Sequence, residues 1–546
     1  MKTSLSFYVT LMLLILNWSC LQKTSAENAQ TKGLFNNLGN LNHTVTTNSE
    51  IAQQFFNQGF TLMYSFNHEE AVRLFQQALR NDSTLAMAYW GIAFCYGSNY
   101  NWPADMNATH KAYEAIKKAQ SLNEHVSQKE KDYINTLAVR YTEDTTADLH
   151  ALEIKYSNAM KTLSEKYPDD LDAKTLYAES MMNLHPWELW SNDGKPNENT
   201  LDIIRTLEGV LAVDSNHIGA NHYYIHAVEA SPQPEKALPC ARRLATLVPD
   251  AGHLIHMPAH VYMRCGDYAQ ADHANDTAAH VDSLYIATNH VTGIYPMLYY
   301  THNLHFLSIA QYFEGKNNAA QRSLTACVKQ VDPRMVKQMP MIEFITGAPL
   351  QLLFGCENWD EILNLPRPDS FMTATLGLWH WARALAYLNK NDLRNVSSEQ
   401  KQFNAISNAI PAEQIYGFNP AKDILAIADN ILMARISEQK TDVKQAEIHY
   451  KKATEIESKL HYNEPPDWFI PTDNMIGGFY LRNGMNVQAE ASFRSSLKRH
   501  PNNGRGLFGL QEALKAQNKN ADAQKVKSDF DLAWKNADKP LTLQDL

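Results

Sequence analysis

Two His-x-x-x-His pairs, His222 with His226 and His256 with His260, stand 34 residues apart. A spacing of four puts both imidazoles of a pair on one face of an α-helix. A period of 34 residues is that of a two-helix repeat unit, in which equivalent positions of successive units stack in parallel. The chain is therefore expected to carry four imidazoles as a ladder across neighbouring helices.

Around the pairs the chain reads His222-Tyr-Tyr-Ile-His226-Ala-Val-Glu229, then His253-Leu-Ile-His256-Met-Pro-Ala-His260, then His302-Asn-Leu-His305. Spacings of three, four and seven place Glu229 and His253 on the same helical faces as their neighbours. Helical periodicity dominates elsewhere, with Gly and Asn-Gly turns at intervals suited to helix hairpins, and no convincing sheet. The sharpest repeat is Gly266-Asp-Tyr268-Ala-Gln-Ala271 with Asn275 and Ala278. Ala237, Ala241, Leu244 and Pro249 give the same frame one unit earlier. Gly59, Ala71, Phe75 and Ala78 fit it near the N-terminus, and Gly477, Tyr480, Ala489, Phe493 and Pro501 near the C-terminus.

These frames, together with HYYIHAVEAS (222 to 231), GHLIHMPAHVY (252 to 262), HNLHFL (302 to 307) and EPPDWFIP (464 to 471), resemble a family of secreted or periplasmic bacterial tetratricopeptide-repeat (TPR) proteins. The resemblance covers most of the mature chain. It implies an all-α, TPR-like helical-hairpin solenoid (superhelix) with irregular inserts, and it implies no established activity. Residues 27 to 546 are expected to form one such solenoid, clearest near 55 to 120, 218 to 330 and 470 to 515, with a looser match over 370 to 460. It further implies that first helices line a concave groove. Aligned on the repeats, His222, His226 and Glu229 fall there beside His253, His256 and His260, with His302 and His305 as a third layer.

Neutral imidazole and carboxylate form the ligand set of Zn²⁺, Cu²⁺, Fe²⁺ or Ni²⁺, and histidines at i and i+4 can grip one ion from a helix face. The plainer alternative is a polar groove in which histidines bond one another, tyrosines such as Tyr223, or an anionic ligand. Pro258 lies between His256 and His260, so the helix is expected to start late or kink there. Two inserts, residues 185 to 194 and 289 to 300, are too long for tight turns and could fold over the groove as lids or pack on their own repeats.

Three functions remain open at this point. The first is a binding or interaction protein taking a protein, peptide, small molecule or glycan in the groove. The second is a metal-dependent enzyme with Glu229 as ligand or base. The third is a glycan binder of a polysaccharide-degradation locus, stacking sugars on tryptophans such as Trp187 and Trp468. Gly504-Arg-Gly506-Leu-Phe-Gly509 satisfies G-x-G-x-x-G but has no preceding strand, so it reads as turn and packing glycine. The common hydrolase, Walker and calcium-loop signatures are missing.

A formal net charge of -10, without a Lys/Arg run, argues against nucleic acid as partner. Lys2 followed by the apolar run Leu5 to Leu16 reads as a secretory signal, placing the protein in the periplasm or cell envelope. Two processing routes compete: cleavage after Ala26, removing residues 1 to 26, or removal of 1 to 19 with lipidation of Cys20, the one route to a membrane. Cys95, Cys240, Cys265, Cys327 and Cys356 include no C-x-x-C pair and read as helix-packing residues rather than a disulfide framework.

Overall fold

The computed structural model describes residues 33 to 546, so the signal segment, its two cleavage positions and Cys20 lie outside the described residues. The chain divides into two compact units, up to Leu184 and from His185 onward. Each is a succession of antiparallel helix pairs.

The first unit runs α1 (Glu50–Tyr64), α2 (His68–Asn81), α3 (Ala86–Tyr96), α4 (Met106–Gln120), α5 (Gln128–Ala138), α6 (Leu149–Lys166) and α7 (Leu171–Met182). Short polar residues start these helices by accepting an otherwise orphaned backbone N–H. Ser49 accepts from Ala52 N and Asp105 from Ala108 N, while Ser127 and Glu130 form a reciprocal capping box.

The second unit runs α8 (Thr200–Val213), α9 (Ile218–Glu229), α10 (Leu238–Leu247), α11 (Gly252–His256), α12 (Pro258–Cys265), α13 (Tyr268–Asn289), α14 (Thr301–Phe313), α15 (Asn317–Lys329), α16 (Pro333–Gln338), α17 (Glu343–Gly355), α18 (Trp359–Asn364), α19 (Thr373–Asn389), α20 (Leu393–Ala409), α21 (Ala421–Gln439), α22 (Val443–Glu457), α23 (Thr472–Arg482), α24 (Asn486–Arg499), α25 (Gly504–Ala516) and α26 (Asn520–Ala533). One two-residue strand pair, Ile415–Tyr416 with Asn419–Pro420, turns before α21. The fold is thus all-α and TPR-like, as the sequence predicts.

The repeat chemistry is visible in one device used twice. A Cβ on Gly59 would lie 2.8 Å from the Phe75 ring and one on Gly91 2.5 Å from it, so both glycines exist to let α1 and α3 close on that ring. In the second unit Phe493 is held the same way by Gly477 and Gly509. Gly509 and Gly504, which lies against Trp534, are therefore packing glycines of α25.

The second unit departs from simple repeat-to-neighbour stacking. Its C-terminal helices return to its early ones: Arg505 Nη1 donates to the Tyr312 carbonyl (3.0 Å) and Asn502 Nδ2 to the Gly266 carbonyl (3.3 Å). Gln351 donates to the Asp467 carbonyl (2.8 Å) and accepts from Phe469 N (3.1 Å). These contacts join residues more than one hundred positions apart, and they enclose the middle of the unit. Among the described residues no helix is long and apolar enough to cross a membrane, and the five cysteines named above are free thiols, Cys265 half-buried and the others buried.

Candidate metal centre

Four helices of the second unit deliver the histidines. α9 begins at His217, whose ring accepts from Ala220 N (3.1 Å), and it is buried on every side, so its polar side chains point into protein. α12 ends at Gly266, left-handed at φ 75°, and Asp267 caps the start of α13. Between α11 and α12 the chain breaks at Met257-Pro258, where the proline supplies no N–H and stands at the first turn of α12.

The expected ladder is sheared. His226 and His260 do pack together, ring centroids 5.5 Å apart. His222, however, meets His253 at 5.0 Å instead of pairing with His256, which turns away toward His260 and His302. Two triads result, His222 with His226 and His253, and His256 with His260 and His302, each with one nitrogen per ring within 4.8 Å of the others. An open groove is also not what the structure builds. The side chains of both triads and Glu229 are buried, with His302 alone half-buried.

The second triad has the sharper geometry. His256 Nε2 stands 2.8 Å from His260 Nε2 and 2.9 Å from His302 Nε2. Each ring carries one proton when neutral, and its position is set by what the other nitrogen faces. Asn275 Nδ2 donates to the Ala271 carbonyl (2.8 Å), so its oxygen is the atom 2.6 Å from His256 Nδ1. His260 Nδ1 lies 2.5 Å from Glu229 Oε2, an atom that can only accept. His256 therefore keeps its proton on Nδ1 and presents an Nε2 lone pair to His260 and His302. Two such nitrogens are held together either by a proton on His260 Nε2, in an imidazolium paired with Glu229, or by a metal ion between the rings. This is the arrangement in which outer-shell acceptors orient metal-binding histidines. A tetrahedral ion with ~2.05 Å bonds spaces its ligands by about 3.3 Å, so the two contacts of His256 would each open by roughly half an ångström to admit one.

Burial, reinforced by the neighbouring imidazoles, holds His256 and His302 well below the usual histidine range and keeps them neutral, the form that coordinates. His253 is lowered in the same way, by burial first and His222 next. Glu229 behaves oppositely. Burial opposes its ionisation, but the charge and hydrogen bonds of His260 and His226 outweigh that and hold its carboxyl well below the usual range. Glu229 is thus an orienting anion between the triads, accepting from His226 Nδ1 (2.8 Å) through its other oxygen, rather than a group aimed at the convergent nitrogens.

His305 joins neither triad. Three residues beyond His302 it points elsewhere, between the Phe344 and Phe469 rings, with both ring nitrogens unpartnered and its pKa pushed down to about 3 by burial. Tyr223 is buried beside His222. Trp468 is 3% exposed, donates to the Ile470 carbonyl and packs on Trp381, so it offers no face to a sugar. Trp187 is half-buried with its edge toward His226, and Trp190 of the same insert donates to the Ala227 carbonyl (2.8 Å). The second insert sets Tyr299 against His253. Both inserts therefore cover the histidines.

Several contributors escape sequence reasoning. Phe306 lies against His256, His260 and His302 at 4.8 to 5.2 Å, and its one signal is its place four residues beyond His302. Asn275 reads as a repeat-packing residue until its oxygen is seen on His256. Arg264 Nε donates to the Glu229 carbonyl (3.0 Å) and stacks on Tyr462. Tyr462 donates to Glu464 (2.9 Å) and reaches toward Glu229 at 3.4 Å. Burial pushes the Glu464 carboxyl up to about 7 against the pull of His260 and Arg264.

No protein-family model matches this chain, and no curated protein does. Solved structures with a similar course of helices include a human IFIT1 dimer with PPP-AAAA, at 13% identity over 88% of this chain and 90% of that one, TM-score 0.33. The Cut9–Hcn1 hetero-tetramer of APC/C aligns at 11% identity over 95% and 79%, TM-score 0.31. At these scores the likeness says nothing about what this chain binds.

Proposed function

We propose that this is an exported metal-binding protein, a helical-hairpin scaffold whose second unit holds a transition-metal ion on His256, His260 and His302. One observation carries the reading: three buried or half-buried imidazoles converge, His256 Nε2 standing 2.8 Å from His260 Nε2 and 2.9 Å from His302 Nε2, with the Asn275 oxygen behind His256 and the Glu229 carboxylate behind His260. Burial of the cluster also weighs against a docked protein, peptide or glycan as its direct contact, since such a ligand has no surface there to touch. The borderline nitrogen donors suit Zn, Cu, Fe or Ni.

Elemental analysis of protein purified without a His-tag tests this. Stoichiometric metal in the wild type, reduced in the double variant His256→Ala with His302→Ala while circular dichroism keeps its helicity, is the expected result. Equal metal content in both, or none in the wild type after incubation with each ion, would sink the reading.

A catalytic reading of the same centre is favoured by the Tyr462–Glu464 pair beside Glu229, a hydroxyl and a carboxyl poised to carry a proton, and by the partial exposure of His302. Catalysis needs an open coordination position. Azide added to Co²⁺-loaded or Cu²⁺-loaded protein should then shift the visible spectrum, and a spectrum indifferent to azide removes this reading.

A further inference from the structure

We propose that the centre holds two ions, one on His256, His260 and His302 and a second on His222, His226 and His253, with Glu229 as the shared outer-shell anion. This rests on the metal reading above and extends it from one trio to two. The geometry that points there is the division of six imidazoles into two sets, each with its nitrogens within 4.8 Å. The sets are contiguous: His226 and His260 have centroids 5.5 Å apart, and His253 and His256 lie 5.8 Å apart with ring planes 29° from parallel. Glu229 spans them, one oxygen 2.8 Å from His226 Nδ1 and the other 2.5 Å from His260 Nδ1. A carboxylate beside one ring in each set orients both rings from outside the two clusters.

Charge sets the ion's class. Two divalent ions would bring four positive charges into an interior where Glu229 is the one ligand-facing anion, and buried charge is tolerated only when compensated. Monovalent copper halves that burden and accepts three nitrogen ligands. Divalent zinc would draw in a bridging anion as well. Access for either runs past His302, the half-buried member of the pair of triads.

The test is a metal count on the full-length protein, loaded separately with Cu⁺ under reducing, anaerobic conditions and with Zn²⁺, then desalted. Two equivalents of either ion in the wild type, with one each in His302→Ala and in His253→Ala, is the expected outcome. One equivalent in the wild type with both ions overturns the two-ion assignment and leaves the single site standing, whereas none overturns the parent reading too. Loss of both ions from His253→Ala, with helicity kept, would show a single merged cluster and also overturn it. The milder His253→Gln and His302→Gln serve where an alanine variant fails to fold, and they should give the same one-ion count.

Discussion

A neutral imidazole carries its proton on one ring nitrogen and a lone pair on the other, and an acceptor beside one nitrogen settles which is which. Glu229 does this for His226 and His260, and Asn275 for His256. Glu229→Gln leaves one acceptor oxygen and turns the other atom into a donor facing an N–H. Metal affinity should fall about 10- to 100-fold, read by chelator competition. Unchanged affinity would show that the carboxylate does not set the tautomers. A separate residue ties the first unit to pH. Burial raises the Glu179 carboxyl from 4.5 to about 7, against the Arg140 charge and the Asn183 amide, and its Oε2 has no partner. A carboxyl raised on folding stabilises fully below about pH 4.5, and that contribution is lost as pH rises through about 7. Glu179→Gln should therefore gain on the wild type between pH 5 and pH 8, by on the order of 3 kcal/mol in urea unfolding. A difference that stays constant with pH contradicts the assignment.

Helices here are placed by small devices. Phe75 and Phe493 each fill a slot between two glycines, and Phe75→Ala should cost about 3–5 kcal/mol by the cavity it opens, measured by denaturant midpoint. At the Met257-Pro258 junction Met257 itself stays helical, at φ −49° and ψ −37°, and the proline removes one N–H; across it the His256 and His260 ring planes stand 75° apart. Pro258→Ala should straighten residues 252 to 265, retain helicity and lower metal occupancy at least about tenfold, since a misaligned ligand loses its geometry. Occupancy equal to wild type would mean that packing, not the proline, sets the angle. These elements also mark what sequence can and cannot disclose. Repeat frames, the histidine set and the kink follow from local spacing and are legible. The shear of the ladder is not, because periodicity fixes which face a residue shares but not how two short helices slide past each other. The partners Tyr462 and Glu464 are invisible for a different reason, lying more than two hundred residues from Glu229.

For the molecule as a whole, the fold class follows from helical periodicity, but the burial of the histidines does not. It comes from contacts such as Arg505 with Tyr312 and Gln351 with Phe469, by which the second unit closes on itself. A disruptive Ala271→Trp should accordingly be felt beyond the adjoining hairpins, as faster proteolysis near residues 460 to 505 as well. Bound ion at 100 times its dissociation constant should add about 2.7 kcal/mol of stability, seen as a higher melting temperature. The variant lacking His256 and His302 should show a smaller rise. Intact mass of protein from the native host should lack residues 1 to 26, or residues 1 to 19 with a lipid on Cys20; an unprocessed Met1 rules out export by this route.

The shortness of α11 carries a consequence for how the protein breathes. Five residues, Gly252–His256, barely close one turn and would not persist as a helix in water. Their order is lent by the surroundings, by α13 beneath and Tyr299 above His253. Such a segment opens more readily than the long helices flanking it. It is also the one that supplies His253 to one triad and His256 to the other, so amide exchange over residues 252 to 257 should slow sharply on metal loading while the amides of α21 keep their rates. The shortest α-helix of the second unit would then be the latch behind which an ion is kept.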